Sequence, residues 1–174
     1  MVPLRKTKPQ PEAGGAEAAD GWARRSVPGG PSLKARALRF LSQREHSRVE
    51  LARKLARYEP DAQQVDTLLD ELAQQKWLSS ERFVESLINR RSSRLGLRRI
   101  QQELSQHRVD EADSGAALAE LRKTELERAK AVWERRFGQP PTDLKERARQ
   151  QRFLMQRGFD GETVALVLSR RDLP

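Results

Sequence analysis

The chain has no cysteine, so a disulfide framework and a cysteine zinc site are both excluded. It has no apolar run approaching the roughly 18–20 residues that a membrane-spanning helix needs. The N-terminal stretch has basic residues but no apolar signal-peptide core, so a cytoplasmic protein is the expectation. No GxxxxGK[ST] loop is present to cradle phosphates, and the scattered carboxylates form no recognisable acid–base pair. Together these absences point away from an enzyme, and no catalytic residue, metal or cofactor is expected. Only two histidines occur. His46 stands four residues before Glu50, but two ligands without a third make a poor metal site. His107 falls near a helix C-terminus, where a partly cationic imidazole would suit the dipole.

What the chain does have is positive charge. Lys and Arg total 34 against 25 acidic residues, a formal charge of +9 over 174 residues. Such a surplus favours polyanions, nucleic acid first among them. Residues 1–31 read as a disordered arm, because Pro3, Pro9, Pro11, Pro28 and Pro31, with five glycines, break any helical period. Trp22 is the apolar exception there and a candidate to dock on the fold or on a partner.

From Leu33 onward the periodicity is helical and nothing reads as a strand. Leu33, Ala37, Phe40 and Leu41 form a first stripe. Ser47-Arg48-Val49-Glu50 spells a capping box, in which the Glu50 side chain is expected to reach back to the cap. Leu51 and Leu55 follow. Asp61 should cap a third helix with Val65, Leu68, Leu69 and Leu72. Ser79 or Ser80 caps a fourth with Phe83, Val84, Leu87 and Ile88. Gly96 separates it from a fifth, whose stripe is Leu97, Ile100 and Leu104. Asp110 should cap a sixth with Ala117, Leu118 and Leu121; a seventh carries Leu126, Ala129, Trp133 and Phe137 up to Gly138. Thr142 is the expected cap of an eighth, through Ala148 and Leu154 to Gly158. Asp160 caps a ninth with Val164, Val167 and Leu168. Trp77, Trp133, Phe83 and Phe137 are expected in the core rather than stacked on bases.

These helices repeat in threes. Leu51, Leu55 and Asp61 overlay Ile100, Leu104 and Asp110 at an offset of about 49 residues, and a further shift of about 50 brings in Leu154 and Asp160. The expectation is an all-α, elongated array of three tandem three-helix repeats at 32–78, 79–122 and 123–174. Charge follows the repeat: eight basic residues lie between Lys34 and Arg57 and seven arginines between Arg82 and Arg108. The third helices begin instead with acids such as Asp61 and Asp66, or Asp110, Glu111 and Asp113. The first two helices of units one and two are therefore expected to share a basic surface.

Several strings resemble the RecX family of bacterial regulators of the RecA recombinase: Ala37-Leu38-Arg39-Phe40-Leu41, Glu50-Leu51-Ala52-Arg53-Lys54-Leu55, Ser80-Glu81-Arg82-Phe83-Val84, Arg99-Ile100-Gln101-Gln102-Glu103-Leu104, and Arg152-Phe153-Leu154 with Arg157-Gly158-Phe159. The resemblance covers roughly residues 33–172 and rests on order and spacing more than on any one string. The family often has glycine and tyrosine where this chain has Lys76-Trp77, and a glycine-aromatic-glycine where it has Arg94-Leu95-Gly96. The resemblance implies a modulator that binds RecA and its filament on single-stranded DNA, inhibiting recombinase, ATPase and co-protease activities, and so acting on homologous recombination and the SOS response. Charge and helical position, not the family strings, nominate Arg90, Arg91, Arg94, Arg98, Arg99 and Arg108 for filament or DNA contact, extended by Arg36, Arg39 and Arg48. For each, a merely solvated side chain is the alternative. The competing function is a sequence-specific, helix-turn-helix-like DNA-binding regulator. A monomer is expected.

Overall fold

The computed structural model describes residues 30–169. Trp22, and all of the expected arm up to residue 29, lie outside the described residues. Among those described, nine helices and no strand occur, in the order α1 Leu33–Gln43, α2 Arg48–Leu55, α3 Ala62–Gln74, α4 Ser80–Arg91, α5 Leu97–Gln106, α6 Glu111–Lys123, α7 Glu125–Arg136, α8 Leu144–Gln156 and α9 Gly161–Leu168.

The helices bury their apolar faces in three separate cores, one per group of three. Ala37, Leu51, Leu55, Val65, Leu68, Leu69, Leu72 and Leu78 form the first. Phe83, Val84, Leu87, Leu97, Ile100, Leu104 and Leu121 form the second. The third gathers Ala129, Val132, Trp133, Leu154, Phe159, Val164, Val167 and Leu168. Three small cores in series are what short amphipathic helices with recurring stripes produce, since no single face is wide enough to close a larger one.

The caps explain most helix starts. The hydroxyls of Ser32, Ser47 and Ser79 accept from the amides of Ala35, Glu50 and Arg82, and Asp61 accepts from Gln63. Asp160 accepts from the amide and hydroxyl of Thr163. Four expectations need correction. The eighth helix is capped by Asp143, not Thr142: Asp143 accepts from Glu146 N at 2.7 Å, while Thr142 donates to the Glu146 carboxylate. Asp110 occupies the cap position of α6 but makes no side-chain capping bond. Ala148 is exposed, and α8 buries Gln150 and Leu154 instead. Trp77 is 55% exposed, because Lys76 before it turns the chain at φ +58 and leaves the indole outside the first core.

Candidate nucleic-acid and filament interface

Helix α5 lies between the two neighbouring units, and its ends are fixed differently. At its N-terminus, Gly96 meets the turn after α8 backbone to backbone. Gly96 N donates to Arg157 O at 2.9 Å and Arg98 N to Gly158 O at 3.1 Å. A Cβ on Gly96 would stand 2.3 Å from Phe159 N and 2.4 Å from the Gly158 carbonyl, and Gly158 itself sits at φ +86 against Arg99. Only glycine permits this approach. The junction is closed by polar groups from α7: the buried Glu125 carboxylate accepts from Leu97 N at 3.1 Å, satisfying one of the unpaired amides at the start of α5. The half-buried Arg128 guanidinium donates to the carbonyls of Leu95 at 2.8 Å, Leu121 at 2.9 Å and Ser92 at 3.2 Å. Arg135 donates to Ser93 O.

The other end of α5 reaches the first unit. His107, the residue after α5, pairs through Nδ1 with Ser47 Oγ at 2.8 Å, and its ring meets Phe83 edge-on at 4.9 Å. Ser47 Oγ already accepts from Glu50 N at 3.1 Å, so its proton is free to donate to the imidazole. Arg82 adds an ion pair to Glu45 at 2.8 Å. One serine thus caps α2 and joins two units.

The surroundings shift both histidines towards the neutral form. Burial pushes the His107 imidazole below its ordinary value, against the opposing charges of Glu50 and Glu103. That shift disfavours the partly cationic imidazole expected at the α5 terminus. His46 is 1% exposed. Burial is again the main cause of its lowered pKa, with the charges of Arg44 and Lys54 adding to it and the hydrogen bond to the Arg44 carbonyl and the charge of Glu50 opposing. Its Nδ1 donates to Arg44 O at 2.8 Å, which leaves Nε2 to accept from Lys54 at 2.7 Å. Glu50 does not reach back to its cap. Its carboxylate is taken by Arg44, which with His46 and Lys54 outweighs the effect of burial and holds it below the usual carboxylate range.

The nominated arginines fall into three places. Arg90 and Arg91 end α4, Arg94 lies in the following turn, and Arg98 and Arg99 open α5. Of these five, Arg98 and Arg99 touch the junction with the third unit. Arg108 stands at the far end of α5 beside the Ser47–His107 contact, in a left-handed turn at φ +52. Arg36 and Arg39 belong to α1, and Arg48 begins α2. Three of the nine are engaged within the chain: Arg48 pairs with Asp66 and Asp70, Arg91 pairs with Glu103, and Arg36 lies 4.2 Å over the Tyr58 ring. Among the described residues Arg90 and Arg99 make only local bonds, to Ser86 O and to the Gln102 side chain. Arg39, Arg94, Arg98 and Arg108 are exposed and form no ion pair among the described residues, although Arg98 lies close enough to Asp160 to help lower its pKa. On α5 the buried Leu97, Ile100 and Leu104 leave Arg98, Arg99, Gln102 and Gln106 on the opposite face. That face presents cations and amide donors with nothing acidic between them, a chemistry suited to phosphate oxygens or carboxylates.

Sequence reasoning did not find Glu125, Arg128 or Gln150. Each looks like a solvent-facing polar residue in its helical pattern, and its partners lie outside its own helix: Gln150 accepts from Trp133 Nε1 at 2.7 Å.

Three family models match in tandem: the first three-helix domain of RecX over residues 34–72, the second over 81–118 and the third over 123–168. The chain belongs to the RecX family. Curated relatives agree. It is 52% identical over 141 residues to "Regulatory protein RecX" of Ralstonia pickettii, covering 81% of this chain and 89% of the relative. Identity to the proteins of the same name from Ralstonia nicotianae and Leptothrix cholodnii is 50%, over 81% of this chain and 89% and 90% of theirs. A crystal structure of RecX from Lactobacillus salivarius matches with a TM-score of 0.66 at 17% identity, over 79% of this chain and 92% of that one. A second, of a regulatory protein RecX, gives 0.67 at 21% identity over 79% and 72%. At those identities the likeness concerns the fold. The family is one of regulatory proteins and not of enzymes. No described helix is long and apolar enough to cross a membrane.

Proposed function

We propose that this chain binds the RecA recombinase and its filament on single-stranded DNA, and that binding inhibits the recombinase, ATPase and co-protease activities, in the cytoplasm and as a monomer. The observation that carries this reading is the set of exposed arginines without an ion pair among the described residues, Arg39, Arg94, Arg98 and Arg108, mounted on a family framework of three linked units. Arg90 and Arg99, whose charges also lack a carboxylate partner among the described residues, extend the set.

A guanidinium in water contributes little to stability, so a set of them is not explained by folding. On a phosphate backbone the same groups release counterions and gain affinity that falls steeply with salt. A filament repeats its surface, and three linked units can hold several weak contacts at once, each raising the effective concentration of the next. Spread binding of this kind needs the units to keep their spacing. The Gly96–Gly158 contact and the Arg128 carbonyl clamp supply that between the second and third.

The test is equilibrium binding of fluorescently labelled protein to preformed RecA filaments, to bare single-stranded DNA and to duplexes, at two salt concentrations. Salt-sensitive affinity that is higher for filament than for bare DNA is expected. Absence of filament binding would refute the proposal, and tight sequence-dependent duplex binding would favour the DNA-regulator reading instead.

A further inference from the structure

Helix α8 of the third unit carries an apolar stripe that the core does not use. Leu144 is 85% exposed and Met155 46% exposed, and Ala148 between them is exposed as well. At about 100° per residue, positions 144, 148 and 155 fall within about 40° of one another. The buried face, Gln150 and Leu154, is turned about 120° away from the stripe, against α7 and α9. A shallow depression on the exposed side is lined by Ala148, Gln151, Arg152, Met155 and Gln156. Three basic residues flank the stripe, Lys145 and Arg152 on one side and Arg147 on the other, with Arg149 further round the helix. Glu146, the one acid of α8, is turned to Thr142. Lys145, Arg147 and Arg152 form no ion pair among the described residues, and Arg149 lies near the Phe137 ring.

We propose that this face of α8 docks an acidic segment with apolar anchors on a partner protein. The inference rests on the filament reading above and takes the partner to be RecA, so that the third unit grips protein while the α4–α5 arginines take the phosphate-bearing side. The stripe spans about 16 Å, the length of two to three turns of a docked helix.

Other occupants fit worse. Phosphate backbone would use the cations but gain nothing from a Leu–Ala–Met ridge, and this face has no aromatic ring on which a base could stack. A membrane surface takes a helix whose whole apolar side can sink, whereas the other side of α8 is committed to the core. A second copy of the chain packed about a two-fold axis would set the flanking cations against the same cations of its partner. Residues 1–29 carry more basic than acidic residues, so the chain's own N-terminal segment offers no charge complement.

The experiment compares the full-length chain with a Leu144→Glu/Met155→Glu variant and, separately, an Ala148→Glu variant. All three positions are exposed, so helicity by circular dichroism should match the unmodified protein. Two quantities are read: the concentration giving half-inhibition of RecA ATP hydrolysis on single-stranded DNA, and affinity for a bare oligonucleotide. The inference predicts that both variants need at least tenfold more protein for half-inhibition, while oligonucleotide affinity changes less than twofold. Half-inhibition within twofold of the unmodified chain would overturn it, as would a parallel loss of oligonucleotide binding. A dimer of the unmodified chain in sedimentation, dissolved by the variants, would also overturn it by making a second copy the occupant. If the unmodified chain itself failed to inhibit, the filament reading would fall and this inference with it. Inhibition intact in both proteins removes the docking face alone.

Discussion

Replacing Gly96 with alanine tests whether the second and third units are locked together. The new methyl would meet the backbone of Gly158 and Phe159 at 2.3–2.4 Å, and backbone cannot rotate aside as a side chain can. Relief requires the junction to open by about 1 Å, and overpacking of this kind costs about 1–3 kcal/mol. Opening weakens the two inter-unit hydrogen bonds, Gly96 N to Arg157 O and Arg98 N to Gly158 O, each worth about 0.5–1.5 kcal/mol. Alanine restricts the unfolded chain and returns about 0.4–1 kcal/mol. The balance is a loss of about 2–4 kcal/mol, or roughly 5–15 °C in melting temperature for a chain of this size. Gly115, inside α6 with nothing near its Cβ direction, is the matched control. Gly115→Ala should stabilise by about 0.5–1 kcal/mol through helix propensity. Urea unfolding of both variants decides the matter. A Gly96→Ala protein as stable as the Gly115→Ala protein would show that the junction is not closed as described.

Three further outcomes are expected. Arg98→Glu/Arg99→Glu should weaken binding to bare single-stranded DNA and to filaments and reduce its salt dependence, with helicity unchanged; unmodified binding would refute the chosen surface. Leu104→Ala, at a site 3% exposed, should cost about 2–5 kcal/mol, and an unchanged melting curve would show that the α5 stripe is not core. Stability should also fall as pH drops from about 6.5, because His46 and His107 have lowered pKa values when folded and the unfolded chain takes up protons first. The contribution is whole above the unfolded histidine pKa and declines as pH falls towards the folded values. Glu50 and Asp160, also lowered, lose theirs only further into the acid range. His107→Gln should flatten the urea midpoint between pH 7 and pH 5.5, and an unaltered profile would count against it.

The helices were legible because their stripes and caps are local. Leu51 and Leu55, Ile100 and Leu104, and the caps Ser47, Asp61 and Asp160 declare themselves within one or two turns. Asp143 displaced Thr142 as a cap because two good capping residues stood side by side and only the backbone path chooses between them. Trp77 misled because an indole has a strong average preference for burial, while its actual exposure depends on the left-handed turn at Lys76.

The candidate surface was legible as charge and not as geometry. Arginine counts along the chain mark the α4–α5 region, but nothing local announces that Arg91 is spent on Glu103, or Arg48 on Asp66 and Asp70. The junctions were hidden for the same reason. Arg128 finds its carbonyls more than thirty residues away in Ser92 and Leu95, and Ser47 finds His107 sixty residues on. Such contacts depend on how units dock, and helical periodicity contains no term for that.

The central claim is inhibition of RecA on its filament, and the most direct measurement is ATP hydrolysis by RecA on single-stranded DNA as the full-length chain is titrated in. The account predicts a progressive fall at protein-to-RecA ratios well below one, because each bound chain acts on several subunits at once. Hydrolysis and filament length unchanged up to stoichiometric amounts would contradict it.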